Sequence, residues 1–272
     1  MEKRATRQLV DRLRDEKEHR ISGGIYQFLQ VEAAYNSNHI EGSTLTHEQT
    51  RYIFETHSVS GENIRADDVV ETVNHFRLFD RIIDTFDEPL TEDYVKELHR
   101  VLKTGTFSSL SREAVVGDYK KFANIVNDIE TARPEKVHED MKRLLSTENL
   151  KVPLDFDGLL DFHASFEKIH PFYDGNGRVG RILLFKECIR SDIVPFIIDD
   201  NIKLYYYRGM HEWQTGGEKG YLRDTCLSMQ DKMKGVLDYF SIGYNKKNDE
   251  RIESQKEEGS RSVREKMDTR KR

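Results

Sequence analysis

The spacing of the apolar residues constrains the fold more than any other feature of this sequence. Apolar side chains recur three and four residues apart along most of the chain, whereas strictly alternating runs are almost absent. Between positions 66 and 86, for example, Val69, Val73 and Phe76 fall on one face of a helix. The pattern therefore predicts an all-α domain. The ten predicted helices span residues 2–18, 23–39, 46–57, 66–86, 91–104, 135–146, 155–169, 176–190, 202–214 and 220–242.

Capping signals mark two of the predicted helix starts. Thr46 stands three residues before Gln49, which is the spacing of a capping box. Thr91 is followed by Glu92 and Asp93, whose negative charges suit the positive end of a helix. Both helices should therefore begin just after these threonines.

Composition divides the chain into three parts. Residues 1–60 hold the N-terminal helices, and residues 61–243 form the main core. Residues 244–272 are highly charged and nearly devoid of large apolar side chains, so they cannot bury enough surface to offset the entropy of ordering, and we expect a disordered tail or a frayed helix. The segment 105–134 is less periodic and carries two β-branched patches, which predict a short β-hairpin or flap.

The charge balance and the cysteines disfavour several classes of protein. A net charge of −6 argues against nucleic acid as a partner, because binding to phosphate backbones draws on a basic surface. No apolar run approaches the ~20 residues of a membrane span, and the charged N-terminus lacks the apolar core of a secretory signal. We therefore expect a cytoplasmic protein without a membrane partner. Cys188 and Cys226 are too few for a disulfide framework, so we expect two buried thiols. A homo-oligomer is compatible with the sequence, which leaves the oligomeric state open.

The stretch HPFYDGNGRVGR, residues 170–181, carries the chemistry. Pro171 disfavours helix at His170, so the preceding helix should end there and present the imidazole at the mouth of a loop. A histidine near its usual pKa of about 6.5 can accept the proton of a hydroxyl group. The two glycines of DGNG can adopt unusual backbone dihedrals and direct N–H groups into one concavity where the next helix begins, which predicts an anion site.

Charged residues around this turn point to a phosphorylated ligand. Arg178 and Arg181 are three residues apart and should share a helix face, where two guanidinium groups suit a polyphosphate. Ile182 and residues 183–185 should form the buried side of that helix. Asp174 would repel the ligand unless a divalent cation lay between them, so Asp174 is the candidate Mg²⁺ ligand. Together these residues predict a phosphoryl-transfer site.

Other nucleotide and metal motifs fit less well. Gly175, Gly177 and Gly180 satisfy the GxGxxG spacing, but the dinucleotide motif follows a buried strand, and a helical pattern precedes it here. The P-loop pattern GxxxxGK(S/T) is missing from the sequence. A metallohydrolase built on the histidines would need an HExxH-like spacing, which is also missing.

The same stretch resembles the signature of Fic-domain proteins, HxFx(D/E)GNGRxxR, at every specified position. The resemblance implies a Fic-type helical bundle with a short β-hairpin flap, and transfer of AMP from ATP and Mg²⁺ to a Ser, Thr or Tyr hydroxyl of a target protein. It also implies that His170 deprotonates the hydroxyl, Phe172 anchors the loop in the core and Asp174 holds Mg²⁺. The implied phosphate contacts are Gly175, Asn176 and Gly177 around the α-phosphate, Arg178 beyond it and Arg181 at the γ-phosphate.

A second segment, near the N-terminus, resembles the inhibitory motif of the same family, (S/T)xxxE(G/N). Ser37 and Glu41 are one helical turn apart, so the hydroxyl can orient the carboxylate, and Gly42 is a natural helix cap. In the family this glutamate pairs with the second arginine of the signature and prevents productive placement of the γ-phosphate. The resemblance therefore implies an inhibitory helix at about residues 25–42 and autoinhibition through Glu41 and Arg181.

The resemblance extends with less specificity over roughly residues 25–240. The segment from Gly117 to Lys120 is similar to the family's GxYR, with lysine in place of arginine. Residues 122–134 would form the flap that docks the target protein, and Tyr206 and Tyr207 would lie near the adenine. Two alternatives to AMP transfer stay open: removal of AMP from a modified protein, with Glu41 positioning a water, and a nucleotide-sensing interaction module without turnover. The family's phosphotransferase branch carries a bulkier residue at the position of Gly177, so the sequence disfavours phosphotransfer of that kind.

Overall fold

The computed structural model of the protein describes residues 6–111, 115–126 and 129–245. Within them are ten α-helices and one small β-hairpin, so the predicted all-α fold with a hairpin is confirmed. None of the described helices is long and apolar enough to cross a membrane. The helices are α1 (Thr6–His19), α2 (Ile25–Ile40), α3 (His47–Thr56), α4 (Ala66–Asp84), α5 (Glu92–Lys103), α6 (Pro134–Lys151), α7 (Phe156–Ile169), α8 (Asn176–Arg190), α9 (Lys203–Thr215) and α10 (Gly220–Tyr239).

The helix boundaries follow local signals in the sequence. The capping box at the start of α3 is confirmed: the Thr46 hydroxyl accepts from the Gln49 N–H at 3.1 Å, and the Gln49 side chain accepts from the Thr46 N–H at 2.9 Å. Thr91 caps α5 by accepting from the N–H of Tyr94 at 3.1 Å. The largest difference concerns α6, which continues past its predicted end to Lys151. Helix-compatible polar residues extend it beyond the last apolar repeat until the next proline stops it.

Two apolar clusters form the core. The first joins the N-terminal helices to the centre of the fold and includes Leu9 of α1 and Leu29 of α2. The second joins α7, α8, α9 and α10. Helix α8 lies between them, because Leu183 belongs to the first cluster and Leu184 to the second. The expectation that only one side of α8 is buried is therefore wrong: nearly every residue of α8 is buried, since neighbouring helices surround it.

The hairpin is shorter than the segment predicted to hold it. Strands β1 (Ile125–Val126) and β2 (Ile129–Glu130) pair antiparallel, with Ile125 opposite Glu130 and Val126 opposite Ile129. Most of the predicted charged tail, residues 246–272, lies outside the described residues.

Candidate active site

The loop between α7 and α8 contains the predicted base and the predicted anion site. Helix α7 ends at Ile169, and His170 has left-handed backbone geometry, φ 51°, immediately before Pro171. The end of the helix predicted from that proline is thus confirmed. Helix α8 begins at Asn176, after Gly175 with a φ of 81° that glycine adopts without strain. The N–H groups of the first turn of a helix have no earlier carbonyl as a partner, so they face outward as an anion site.

Hydrogen bonds inside the loop fix its shape. Asn176 accepts from the Phe172 N–H at 2.8 Å and donates to the Phe172 carbonyl at 2.9 Å, which leaves its backbone N–H for the predicted phosphate contact. Phe172 is buried and stacks on the ring of His99, with 3.9 Å between the centroids. His99 accepts from the Gly117 N–H at 2.9 Å and donates to the Asp174 carbonyl at 3.1 Å. Burial lowers the pKa of His99 to about 4, so its ring is neutral, as this pattern of one acceptor and one donor requires.

The predicted base, His170, is largely enclosed. Burial is the main reason that the pKa of His170 is lowered to about 4, and the nearby ammonium group of Lys120 adds to the effect. The Nδ1 atom of His170 is shielded from solvent and makes no hydrogen bond within the described residues. With this pKa the imidazole is neutral near pH 7, which is the form that can accept a proton.

Lys120, at the position where the family motif has arginine, joins the hairpin to the loop between α7 and α8. Its ammonium group donates to Asn124 at 2.8 Å and to the hydroxyl of Thr131 at 2.6 Å, on either side of the hairpin. Its backbone N–H donates to the carbonyl of Pro171 at 2.9 Å. Burial lowers the pKa of Lys120 to about 8. The lysine therefore holds the base of the flap beside His170.

One cavity of about 350 Å³ lies between the loop, the hairpin and α9. Val126 and Ile129 of the hairpin border it. It also brings together six residues that the sequence singled out: Glu41, His170, Gly177, Arg181, Tyr206 and Tyr207.

The two tyrosines contribute to the wall of this cavity from α9. The hydroxyl of Tyr206 is 2.6 Å from Nε2 of His163, and both residues are buried. Tyr207 donates its hydroxyl hydrogen to the carbonyl of Ile40 at 3.1 Å and so connects α9 to the end of α2. Their predicted place near the adenine stays a prediction.

The backbone of Gly177 does not have the unusual dihedrals that the sequence motif predicted for its glycines. Only Gly175 has a positive φ, and Gly177 is an ordinary helical residue of α8. A Cβ atom on Gly177 would collide with the carboxylate of Glu41 and lie 2.9 Å from Nη1 of Arg181. A side chain at position 177 would therefore have to displace the Glu41 carboxylate from its contact with Arg181.

The last turn of α2 lies against Arg181. Arg181 donates to the carboxylate of Glu41 at 2.7 Å, to the hydroxyl of Ser37 at 3.1 Å and to the Ser37 carbonyl at 2.9 Å. Burial opposes the charge of Arg181, but the Glu41 carboxylate, together with Tyr206 and Glu167, outweighs burial and the pKa of Arg181 is raised. Helix α2 ends at Ile40, and Gly42 follows Glu41 with a φ of 92°, so the predicted cap glycine is present.

Arg178 contacts a different carboxylate from Arg181. It forms an ion pair with Glu71 of α4 and lies 3.4 Å from Asp174. Lys103 of α5 contacts the same two carboxylates, each at 2.5 Å. Glu71 and Glu41 each engage one guanidinium in this structure, and the predicted binding of a polyphosphate by the two arginines stays a prediction. Neither Glu71 nor Lys103 belongs to a motif that the sequence could have revealed.

Asp174 fits the role of a Mg²⁺ ligand by its chemistry. Burial works to raise the pKa of Asp174, but the charges of Arg178 and Lys103 outweigh it and the pKa is lowered. The described residues contain no group of three or more His, Cys, Asp or Glu side chains that could hold a metal ion. A single ionised carboxylate suits an ion that takes its other ligands from phosphates and water.

Glu167 is a half-buried residue of this site that was not predicted, and its Oε1 atom is shielded from solvent. It lies one helical turn before His170 and lines the same cavity. Burial raises the pKa of Glu167 to about 8, although Arg181 opposes the shift. Its Oε1 atom has no hydrogen-bond partner within the described residues, and a Cβ on Gly180 would collide with it. The sequence signal that could have identified Glu167 is its position three residues before His170, one helical turn away.

Comparison with known proteins gives consistent results. Residues 89–187 match the profile of the Fic/DOC family. The chain is 30% identical over 196 residues to the protein adenylyltransferase Fic of Nematostella vectensis, a match that covers 70% of this chain and 44% of that protein. It is 28% identical over 196 residues to the protein adenylyltransferase fic-1 of Caenorhabditis elegans, covering 70% and 37%. The matched part spans less than half the length of these relatives.

Solved structures share the fold. A Fic domain containing signaling protein from Bacteroides thetaiotaomicron has a TM-score of 0.66 at 23% identity, covering 84% of this chain and 93% of that chain. Fic-1 from Caenorhabditis elegans has a TM-score of 0.66 at 22% identity, covering 86% and 71%. At such identities the likeness concerns the fold.

Proposed function

We propose that this chain, whose residues 89–187 match the profile of the Fic/DOC family, transfers AMP from ATP to a Ser, Thr or Tyr hydroxyl of a target protein. The observation that carries the proposal is the cavity that His170, Gly177 and Arg181 share with Glu41. The printed names of the relatives support it, since the proteins from Nematostella vectensis and Caenorhabditis elegans are called protein adenylyltransferases.

The proposed reaction uses His170 as the base. The neutral imidazole accepts the hydroxyl proton while the hydroxyl oxygen forms a bond to the α-phosphorus of ATP. The bond from that phosphorus to the bridging oxygen of the β-phosphate breaks, and pyrophosphate leaves. The outward N–H groups at the start of α8, at Asn176 and Gly177, stabilise the charge on the α-phosphate. Arg178 and Arg181 bind the phosphates beyond it once their carboxylate partners yield.

In this proposal Asp174 holds a Mg²⁺ ion together with the phosphates. When bound, the ion neutralises charge on the triphosphate. The Asp174 carboxylate suits that role because its side chain is 47% exposed, more than the other charged groups that it contacts.

We further propose that Glu41 keeps the site in a state of low activity. The Glu41 carboxylate pairs with Arg181 and lies against Gly177, so it occupies space beside the anion site and repels an incoming triphosphate. Removal of AMP from a modified protein is a second candidate, because Glu41 lines the cavity that contains His170 and a carboxylate there can orient a water molecule.

The target protein is proposed to dock at the flap, residues 122–134. Two observations support this: Val126 and Ile129 border the cavity, and the Ile125 side chain is exposed. The proposal also includes a cytoplasmic location, which the free, buried thiols of Cys188 and Cys226 support, since reducing compartments keep cysteines unpaired.

Labelling experiments test this function. Purified chain is incubated with cell lysate, Mg²⁺ and ATP labelled at the α-phosphate, as wild type, E41G, E41G/H170A and the exposed controls E48Q and H19A. We expect weak labelling by the wild type, several-fold more by E41G, none by E41G/H170A, and wild-type behaviour in both controls. Labelling that appears only with γ-labelled ATP would show a kinase and refute AMP transfer.

Two further outcomes separate the alternatives. An AMP-modified target protein is incubated with wild type and E41A: only AMP removal needs the carboxylate, so release by the wild type and not by E41A would favour the second candidate. Stabilisation of the protein by ATP without label transfer in any variant would instead favour a nucleotide-sensing module.

A further inference from the structure

Four charged side chains form a closed ring of ion pairs beside the first turn of α8. Lys103 contacts Asp174 and Glu71, each at 2.5 Å. Arg178 closes the ring, because it pairs with Glu71 and lies 3.4 Å from Asp174. The four residues come from α4, α5, α8 and the loop between α7 and α8, and their charges sum to zero.

Exposure differs sharply within this ring. The side chains of Lys103 and Arg178 are 4% and 5% exposed, whereas that of Asp174 is 47% exposed. Asp174 is therefore the member at which an ion from solvent can arrive.

Both carboxylate oxygens of Asp174 already have partners. Oδ2 accepts from the ammonium group of Lys103 at 2.5 Å, while Oδ1 accepts from the Gly175 N–H at 2.6 Å and from Arg178 at 3.4 Å. A divalent cation at Asp174 has to displace a positive charge, and Lys103 is the nearest. Lys103 can leave Asp174 without losing all its partners, since it also donates to Glu71 at 2.5 Å and to the hydroxyl of Ser108 at 2.9 Å.

We propose that Lys103 is a positioning residue that occupies the cation position on Asp174 and makes metal binding there conditional on nucleotide. Phosphates draw Arg178 away from Glu71, the ammonium group of Lys103 stays with Glu71 and leaves Asp174, and Asp174 becomes free for the ion that the nucleotide brings. This inference rests on the proposed function only in placing the metal and the nucleotide at Asp174.

The test measures binding of Mn²⁺ without nucleotide, by the loss of the electron paramagnetic resonance signal of the free ion. The variants are K103M, K103Q, D174N, K103M/D174N and K96M. Lys96 lies on the same helix and pairs with Asp118 at 2.8 Å, so it is a matched control. We expect K103M and K103Q to bind Mn²⁺ about tenfold more tightly than wild type, because a unit charge is removed within a few ångströms of the ion. K96M should behave as wild type, and K103M/D174N should lose the gain.

Wild-type affinity in both K103M and K103Q, with their circular dichroism and cooperative unfolding unchanged, would overturn the proposal. So would tight nucleotide-free binding by the wild-type chain that D174N abolishes, an outcome that needs no lysine variant. The result is distinguishable from a failure of the proposed function: a gain in K103M with no AMP transfer by E41G would leave this inference standing and remove the enzymatic one.

Discussion

The contact between Glu41 and Arg181 predicts that the variant E41Q changes stability and ATP response in opposite directions. In the wild type, the Arg181 guanidinium is nearly buried and forms an ion pair with the Glu41 carboxylate. Glutamine keeps the shape of the side chain and an oxygen that can accept from Arg181, but it removes the negative charge. The guanidinium then keeps neutral acceptors, from Ser37 and the new amide.

The magnitude follows from the exposure of the two partners. Removing one member of a buried ion pair costs about 3–5 kcal/mol, whereas exposed pairs contribute about 0–1 kcal/mol. The Arg181 side chain is 8% exposed and that of Glu41 is 31% exposed, so the pair lies between these limits. Because the glutamine oxygen preserves a neutral hydrogen bond, we expect E41Q to lose about 1–2 kcal/mol of unfolding free energy in the absence of ligand.

Urea unfolding measures this loss, and the single tryptophan gives the signal. Trp213 is buried in α9 and donates to Asp161 at 2.7 Å, so its fluorescence should change when the fold opens. The exposed variant E48Q carries the same change of charge and is the matched control. Addition of Mg²⁺ and ATP at 100 times the Kd of E41Q should stabilise E41Q by about 2.7 kcal/mol. The same concentration should stabilise the wild type much less, because Glu41 disfavours phosphate binding.

Two results would refute this reasoning. Equal unfolding free energies for E41Q and wild type without ligand would mean that the ion pair contributes nothing to the folded state. Equal stabilisation of the two proteins by ATP would mean that Glu41 does not oppose nucleotide binding, and the inhibitory role would be abandoned.

Three more outcomes follow from the site. The lowered pKa of His170, about 4, keeps the base form at acidic pH, so the pH profile of labelling by E41G should stay flat from about pH 8 to about pH 6; a decline centred on about 6.5, the ordinary histidine value, would contradict this. Burial raises the pKa of Glu167 to about 8 in the folded protein. The protonated side chain therefore contributes fully to stability below the unfolded pKa of about 4.5, and this contribution is lost as pH rises toward about 8. E167Q should therefore gain at least about 1 kcal/mol relative to wild type between about pH 5 and pH 8 in urea unfolding, and a pH-independent difference would show that Glu167 is ionised throughout. G177A should weaken the Glu41–Arg181 contact and lower the unfolding free energy by about 1–3 kcal/mol through overpacking, with a smaller loss in the E41G background, where space opens; equal losses in both would place the clash elsewhere.

The sequence alone determined the local structure of this protein. The capping box at Thr46 and the helix stop before Pro171 depend on residues within one turn of each other, and both are present in the fold. The left-handed turn at Gly175 likewise follows from a property of one residue. Such features could be predicted because the interactions that decide them connect neighbours along the chain.

Only the tertiary structure decided which groups surround the reactive residues. Lys103 reaches Asp174 across 71 positions of the chain, and no spacing in the sequence signals that contact. The sequence motif predicted unusual dihedrals as the reason for the glycine at position 177, whereas the structure places beside it the carboxylate of Glu41, which follows the distant helix α2. Burial, which lowers the pKa of His170 and raises that of Glu167, is likewise set by packing around α8.

The pair formed by Glu41 and Arg181 lies on the boundary between these two kinds of information. The motifs named both residues, yet the 2.7 Å contact exists because the core shared by α2 and α8 brings residues 140 positions apart together. Hydrophobic burial is non-directional and acts across the whole chain, so it determines such distances only after the helices have packed.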